Sequence, residues 1–166
     1  VALGRGYTHA CRDVVTGYPL PYASSDLSGQ VAIVTGGTSG LGWRFAQVLA
    51  AAGATVVPTG RRVERLAALR EVIEEAGGRC YPIEMDMTDA DSIVAGVTRA
   101  SEEVGLVTIA VNNAGIPDAR RAHRMPLELV DQVLDTNVRG PWVLSCEVAR
   151  RLIDAAQPGR IVNISS

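Results

Sequence analysis

An apolar run that passes directly into a glycine-rich turn constrains the fold of this chain more than any other feature. The run is VAIVT at 31–35, and the turn is GGTSGLG at 36–42. The run predicts a buried strand, and the stretch after the turn has apolar residues at helical spacing. Glycines let the backbone approach a ligand closely, and a helix start offers free N–H groups to an anion. Because the spacing G-x-x-x-G-x-G differs from the generic dinucleotide pattern, the turn alone predicts either a phosphate site or an ordinary tight turn.

Short apolar runs alternate with helical stretches along the rest of the chain. Further strands are predicted at 54–58, 80–84, 106–112 and 160–166, and helices at about 62–76, after an N-cap at Thr88, at 126–136 and at 138–156. This alternation predicts a parallel, doubly wound α/β sheet. Right-handed crossovers and a reversal after the third strand give the order 3-2-1-4-5. Residues 1–28 show no sustained period, so we expect an extension or linker before a single domain at 29–166.

The bulk composition argues against several classes of protein. With 166 residues, 47% of them hydrophobic, the chain has enough material for one core. A net charge of −2 gives no basic footprint for nucleic acid. We expect no membrane partner, because no apolar run approaches the ~20 residues that cross a bilayer. The three cysteines are odd in number and widely spaced, which favours reduced thiols in a cytoplasmic protein and no metal site.

Several candidate ligand-binding residues fall where predicted strands end. The glycine turn follows the first strand, Arg61 follows the second, Asp86 follows the third and Asn113 follows the fourth. In doubly wound sheets, ligands bind at the carboxyl ends of the strands, next to the point where the strand order reverses. The four features together therefore predict a nucleotide site at this edge.

Five motifs carry a resemblance to a known family. They are TGGTSGLG (35–42), DMTD (86–89), NNAG (112–115), the Asn within DTNVRG (135–140) and GRIVNISS (159–166). In this order and spacing, the chain resembles the short-chain dehydrogenase/reductase family. The resemblance implies a Rossmann-type fold that binds NAD(P)(H). It also implies hydride transfer between the nicotinamide and an alcohol or carbonyl carbon of a small-molecule substrate.

The resemblance also implies a role for each motif residue. The pyrophosphate and adenosine side would be lined by the glycine turn, through Gly36, Ser39, Gly40, Leu41 and Gly42. Asp86 would accept a hydrogen bond from the adenine amino group, and the backbone of Met87 would touch the ring. The ribose and nicotinamide side would be lined by Asn113, Ala114 and Gly115. For Asn112 we prefer a structural interpretation, in which its side chain bonds to neighbouring strands.

The end of the second strand indicates which cofactor is preferred. An acid at this position accepts from the ribose 2′-hydroxyl of NAD, whereas an arginine suits the 2′-phosphate of NADP. The stretch PTGRR at 58–62 contains no acid and ends in Arg61 and Arg62. Because a guanidinium can pair bidentately with phosphate and stack on adenine, we expect NADP(H), with NAD(H) as the second choice. The alternative is that both arginines belong to a solvated helix start.

The catalytic residues that the resemblance implies are only partly represented. Ser166 matches the serine that polarises the carbonyl group, with Ser165 as the second choice, and Asn137 matches the asparagine that helps to hold a proton-relay water. The general acid of the family is a tyrosine four residues before a lysine. That pair would follow Ser166, and the chain contains no lysine at all. The chain as given therefore lacks the catalytic tyrosine and lysine, and we expect the later strands, the substrate loop and a dimer-forming helix to be missing too.

Three interpretations of this incompleteness remain open. The chain is the cofactor-binding part of a complete or split reductase, a truncated non-catalytic nucleotide-binding module, or a methyltransferase-like α/β protein that binds an S-adenosyl ligand. We prefer the first, because the apolar strand IVNIS would otherwise form an exposed edge. Its expected partners are further copies of the chain and a complementary C-terminal polypeptide. The third is disfavoured, because such proteins place an acid where Arg61 stands.

Overall fold

Strands and helices alternate throughout the part of the chain that the structure describes. The computed structural model describes residues 25–117 and 120–165. Its first half contains β1 (Val31–Thr35), α1 (Gly40–Ala51), β2 (Thr55–Gly60), α2 (Val63–Glu75), β3 (Arg79–Cys80), β4 (Ile83–Glu84) and α3 (Ala90–Glu103). Its second half contains β5 (Ile109–Asn112), a 3-10 helix (Ala122–Arg124), α4 (Leu127–Leu134), a π-helical turn (Asp135–Arg139), α5 (Gly140–Asp154) and β6 (Arg160–Asn163).

All strand pairs in the sheet are parallel, and the strand order reverses beside β1. The order is β3-β2-β1-β5-β6, and β4 also pairs with β2, beyond β3 along the same edge. The predicted third strand corresponds to β3 and β4, the fourth to β5 and the fifth to β6. The predicted α/β class and the order 3-2-1-4-5 are therefore confirmed. All five residues of β1 are buried, as expected of a central strand covered on both faces.

Each face of the sheet is covered by a different pair of helices. Alternate residues of β1 supply the two cores, because successive side chains of a strand point to opposite faces. Ala32 and Val34 pack with residues of α1 and α2, including Ala46 and Leu69. The opposite core contains residues of β1, α3 and α5, namely Val31, Ile33, Ile93, Val97, Leu144, Val148 and Leu152. The protein thus has three layers. Because the helical crossovers make all strands parallel, the carboxyl ends of the strands lie on one edge of the sheet.

The third strand is divided into two short pieces, where the sequence predicts one strand at 80–84. Val56 pairs with Cys80 and Thr59 pairs with Ile83, so the break lies opposite Val57 and Pro58. Tyr81 N still donates to Val56 O at 2.8 Å. The next ladder bond would need an N–H from Pro58, which proline lacks. Pro58 therefore accounts for the break.

Other element boundaries also differ from the prediction, each for a local reason. The strand predicted at 106–112 begins only at Ile109, because its neighbour β1 begins at Val31 and pairs from Ala32 onward. The last strand ends at Asn163, opposite the end of β5. The N-cap predicted at Thr88 is wrong. Asp89 caps α3 by accepting from Asp91 N at 2.9 Å, while the Thr88 hydroxyl donates to Asp86.

The segment before β1 is described only from residue 25 onward, so most of the predicted extension at 1–28 lies outside the described residues. Leu27 N donates to Ala52 O at 2.7 Å, and its side chain packs against the core beside α1. Among the helices within 25–117 and 120–165, none has the length and apolar character needed to span a membrane.

Candidate functional site

The glycine turn packs directly against the loop that follows β5. Gly36 has a φ of +69°, and a Cβ at this position would lie 2.9 Å from Ala114 Cα. Any larger residue would therefore be strained and would push the two loops apart. Gly42 lies behind the turn, against the carbonyl oxygen of Gly36 and the side-chain amide of Asn113. The turn and the NNAG motif form one unit as a result.

Thr35, the last residue of β1, fixes this unit with its side chain. Its hydroxyl oxygen accepts from the backbone N–H groups of Asn113 and Ala114, both at 3.0 Å. The hydroxyl also lies 3.4 Å from Val111 O, to which it donates. In return, Asn113 Nδ2 donates to Thr35 O at 2.9 Å. These bonds hold the carboxyl ends of β1 and β5 together at the point where the strand order reverses.

The start of α1 points its backbone N–H groups into the space above the turn. The N-cap residue is Ser39, whose side chain makes no capping hydrogen bond. Its hydroxyl instead accepts from Arg62 Nη2 at 3.1 Å, and Thr38 Oγ1 accepts from the same nitrogen at 2.6 Å. The first turn of α1 contains no acidic residue. Free N–H groups, the positive end of the helix dipole and a guanidinium therefore converge on one spot, which suits an anion.

The end of β2 is closely packed against the same turn. A Cβ on Gly60 would lie 2.7 Å from the Thr38 methyl carbon. A side chain at position 60 would therefore have to displace Thr38. The cationic side chains here come from the two residues that follow, Arg61 and Arg62.

Arg61 faces the carboxylate at the end of the third strand. Its Nη1 lies 3.7 Å from Asp86 Oδ2, and the Arg61 side chain is 66% exposed. The backbone N–H of Thr88 lowers the pKa of Asp86 from its ordinary value, with further help from the Thr88 hydroxyl and Arg61, against a smaller opposing effect of burial. Thr88 occupies Oδ1 through two bonds of 2.9 and 2.8 Å. Asp86 is therefore an ionised acceptor that Thr88 holds in a fixed orientation.

A cleft of about 490 Å³ lies between these elements, and we call it the β1–β2 cleft. Ten of the predicted cofactor residues line it, namely Gly36, Ser39, Leu41, Arg61, Arg62, Asp86, Met87, Asn113, Ala114 and Gly115. Gly40 and Gly42, which were also predicted, shape the turn without lining the cleft. Further lining residues that the sequence did not indicate are Thr38, Thr59, Gly60, Met85, Thr88, Ile116, Gln132 and Thr136. The position of Thr38 between the glycines of the turn is a sequence signal for a lining residue. Gln132 and Thr136 reach the cleft through the tertiary fold.

A second cleft of about 540 Å³, the β5–β6 cleft, continues along the same edge. It shares Leu41 and residues 113–116 with the first cleft, and it adds Asn137, Pro141, Asn163, Ile164 and Ser165. Asn112 Nδ2 donates to Asn163 Oδ1 at 2.8 Å and to Ser145 Oγ at 3.0 Å. The structural interpretation of Asn112 is therefore confirmed. Ser166 lies outside the described residues.

Asn137 lies in the π-helical turn, and both ends of its amide are engaged. Its Oδ1 accepts from Ile116 N at 2.9 Å, and its Nδ2 donates to Ile116 O at 3.1 Å. Asn137 thereby joins the turn to the strand-end loop that both clefts share. π-helical turns occur often at functional sites, because they release a backbone carbonyl from the regular helix pattern.

The two clefts together fit an elongated ligand with an anion near its middle. Gly36 and the start of α1, whose N-cap side chain makes no capping hydrogen bond, would receive a diphosphate on free backbone N–H groups. Asp86 offers an acceptor at one end, and the uncharged β5–β6 cleft accommodates a second ring at the other. The described residues therefore fit a pyridine dinucleotide.

Comparison with known proteins decides the family. A sequence model of the family described as short chain dehydrogenase matches residues 30–166. The chain belongs to the short-chain dehydrogenase family. The match covers every motif from which the resemblance was drawn, so the predicted family is confirmed.

Individual members of the short-chain dehydrogenase family resemble this chain over most of its length. Gluconate 5-dehydrogenase of Gluconobacter oxydans is 37% identical, over 84% of this chain and 54% of its own length. The 3-oxoacyl-(acyl-carrier-protein) reductase of Aquifex aeolicus is also 37% identical, over 84% of this chain and 56% of its own length. The crystal structure of a metagenomic short-chain oxidoreductase in complex with NADP is 38% identical, with a TM-score of 0.80, over 86% of this chain and 64% of that one.

The chain spans about half the length of the curated relatives that it matches. The matched half contains the sheet edge with both clefts. The relatives' names describe activities of proteins that are nearly twice as long as the matched region.

Proposed function

We propose that this chain supplies the cofactor-binding part of an NADP(H)-dependent oxidoreductase that interconverts an alcohol and a carbonyl compound. The observation that carries the proposal is the β1–β2 cleft, in which the bare glycine turn, the start of α1, two arginines and Asp86 meet. The bound nicotinamide would supply the hydride. The chain's own residues would bind the diphosphate on the turn, orient the adenosine end and position the nicotinamide toward the β5–β6 cleft.

The preference for NADP(H) over NAD(H) is supported by the charges at the end of β2. Arg62 already binds the Thr38 and Ser39 hydroxyls at the mouth of the cleft, and Arg61 lies across from Asp86. No carboxylate stands within residues 58–62, and a side chain at position 60 would have to displace the Thr38 methyl group. A 2′-phosphate would therefore meet two cations and two hydroxyl groups, whereas a 2′-hydroxyl of NAD(H) would find no carboxylate at the end of β2 to accept its hydrogen bond.

Titration of both reduced cofactors tests this preference. We expect Arg61→Ala and Arg62→Ala to weaken NADPH binding by about tenfold or more and NADH binding much less, because a charge-assisted hydrogen bond to the phosphate contributes roughly 1.5–3 kcal/mol. Fluorescence of the reduced nicotinamide gives both affinities. Arg70→Ala is the matched control, because Arg70 pairs with Glu74 on an exposed face of α2. If Arg61→Ala weakened the binding of NADH and NADPH equally, Arg61 would not be the group that binds the 2′-phosphate.

The catalytic step requires groups that this chain does not carry. Ser166 would polarise the carbonyl oxygen, and Asn137 would act as a positioning residue, because its side-chain amide is already bound to Ile116. A carbonyl that accepts hydride also needs a proton, which a general acid must deliver. We propose that a tyrosine and a lysine from the remaining half of the protein, or from a complementary C-terminal polypeptide, supply this function. The substrate is a small carbonyl compound or alcohol, and we expect the assembly to be a cytoplasmic homo-oligomer.

A second candidate is a non-catalytic nucleotide-binding module. Its support is that the described cleft is complete on the adenosine side without any contribution from the missing half. Such a module would bind the dinucleotide with the same arginine dependence and would show no turnover in any assembly.

A further inference from the structure

Two buried side-chain atoms among the described residues have no hydrogen-bond partner. They are Thr59 Oγ1 and Asn112 Oδ1. Thr59 lines the β1–β2 cleft and Asn112 lines the β5–β6 cleft, so both lie at the ligand-binding edge of the sheet. Native proteins pair nearly all their buried polar atoms, and an unpaired one needs an explanation such as a missing water or ligand.

Thr59 is placed at the floor of the β1–β2 cleft by its position on β2. It is 1% exposed and pairs in the sheet with Thr35 on one side and Ile83 on the other. Its carbonyl oxygen accepts from Gly37 N at 2.9 Å, so the backbone is held by the glycine turn. Its side chain faces the same side as Val57, because residues two apart on a strand share a face. That side contains Met85 and Met87, which line the cleft next to Asp86.

A hydrophobic residue would serve equally well if Thr59 only filled space. Valine has the same shape, favours strands and carries no group that needs a partner. The hydroxyl therefore costs stability in the unliganded protein. A ligand that offered a hydrogen-bonding atom to this hydroxyl would offset the cost. The hydroxyl would reach the ligand after χ1 rotates between staggered positions, which exchanges the hydroxyl with the methyl group.

We infer that the Thr59 hydroxyl forms a hydrogen bond with the adenosine end of the bound dinucleotide. This inference rests on the proposed function, since it requires the dinucleotide to occupy the β1–β2 cleft. The adenosine end is the one that would reach Thr59, because Thr59 pairs with Ile83, shortly before Asp86 and Met87, and these two line the same cleft and are the residues proposed for the adenine. The contact is common to NADPH, NADH and adenosine monophosphate, so Thr59 contributes to affinity without discriminating between the two cofactors.

Isothermal titration of the full chain with NADPH, NADH and adenosine monophosphate tests the contact. We expect Thr59→Val to weaken all three by the same factor, about fivefold, which is typical of one neutral hydrogen bond. Thr59→Ser keeps the hydroxyl and should bind within about twofold of the unmodified chain. Thr55→Val is the matched control, because Thr55 lies on the same strand and face but at the opposite end. The unfolding temperature of Thr59→Val without ligand should be equal to or higher than that of the unmodified chain.

Each other result contradicts the inference in a recognisable way. Unchanged affinity in Thr59→Val would show that the hydroxyl makes no ligand contact. A loss confined to NADPH would place the hydroxyl at the 2′-phosphate. A lower unfolding temperature together with the lost affinity would show a structural role. If the unmodified chain binds none of the three ligands, the proposed function fails, and this inference fails with it.

Discussion

At the scale of single residues, Thr35 is the side chain on which the site depends most. It is fully buried, and its hydroxyl serves two backbone N–H groups of the NNAG motif. In Thr35→Val both groups lose their partner in a partly buried place. We expect the free energy of unfolding to fall by about 1–3 kcal/mol, which is less than two fully buried unsatisfied donors would cost at roughly 1–3 kcal/mol each. Urea denaturation measures the loss.

The control for this prediction is Thr55→Val, which removes a hydroxyl from a partly exposed position on the neighbouring strand. It should change the free energy of unfolding by less than about 0.5 kcal/mol, as is usual for such surface positions. If Thr35→Val were equally mild, the Thr35 bonds would not hold the two strand ends together.

Site residues that belong to a sequence motif can be identified from the sequence. Site residues that reach the cleft only through the tertiary fold cannot. Asp86 and Asn113 follow strands directly, so their place at the sheet edge follows from topology. Gln132 belongs to a helical segment with no local signal, and Thr136 lies in the DTNVRG motif, which indicated only its neighbour Asn137. Both line the β1–β2 cleft because that part of the chain folds back toward it. The unpaired hydroxyl of Thr59 could not be seen in the sequence either, because pairing depends on neighbours in space.

At the scale of elements, α5 is joined to the rest of its layer by a charged cluster around Glu147. Glu147 accepts from Arg150 and Arg151 at 2.8 Å, and Arg151 also donates to Thr98 on α3 at 2.6 Å. Burial raises the pKa of Glu147, but these two arginines outweigh burial and hold the pKa below its ordinary value. The side chains of Glu147 and Arg151 are 11% and 22% exposed, so their pair is partly shielded from water, whereas Arg150 is 57% exposed.

We expect Glu147→Gln to lower the free energy of unfolding by about 1–2 kcal/mol, between the values typical of exposed and of buried ion pairs. Glu74→Gln is the matched control, because Glu74 forms a similar helical pair with Arg70 on an exposed face. It should cost less than about 0.5 kcal/mol. Equal effects in thermal and urea denaturation of the two variants would argue against a role of the cluster in joining α5 to α3.

Element type was predictable here, and element ends were not. The alternation of apolar and helical segments determined the sheet order and the two helix layers. The break between β3 and β4 depends on Pro58, whose nitrogen cannot donate to the strand that faces it, and this pairing joins segments that are distant in the sequence. Likewise, β5 begins where its neighbour allows, and no pattern within 106–112 marks that point.

At the scale of the whole molecule, the β6 edge of the sheet is exposed. All four residues of β6 are exposed, and on α5 the outward side chains Trp142 and Ile153 are 70% and 76% exposed. Edge strands and apolar patches of this kind are usually covered by further structure. The end of β6 and the start of α5 lie at the β5–β6 cleft, through Asn163 and Pro141, and the proposed catalytic groups would act there.

Mass spectrometry of the protein purified from its natural source tests this expectation. We expect a chain longer than the 17.5 kDa described here, or a second polypeptide that remains bound during gel filtration. Hydrogen exchange should then show protection of residues 160–163, which are exposed in this chain alone. A mass near 17.5 kDa with no companion would instead favour the non-catalytic nucleotide-binding module.

The contact between Gly60 and the Thr38 methyl group has a consequence for redesign. A redesign that reversed the proposed preference for NADP(H) would place an aspartate at the end of β2, for example at position 60. An added Cβ there would lie 2.7 Å from the Thr38 methyl carbon, so Thr38 would have to shift or become smaller. Paired changes at positions 38 and 60 should therefore be tolerated better than a change at position 60 alone.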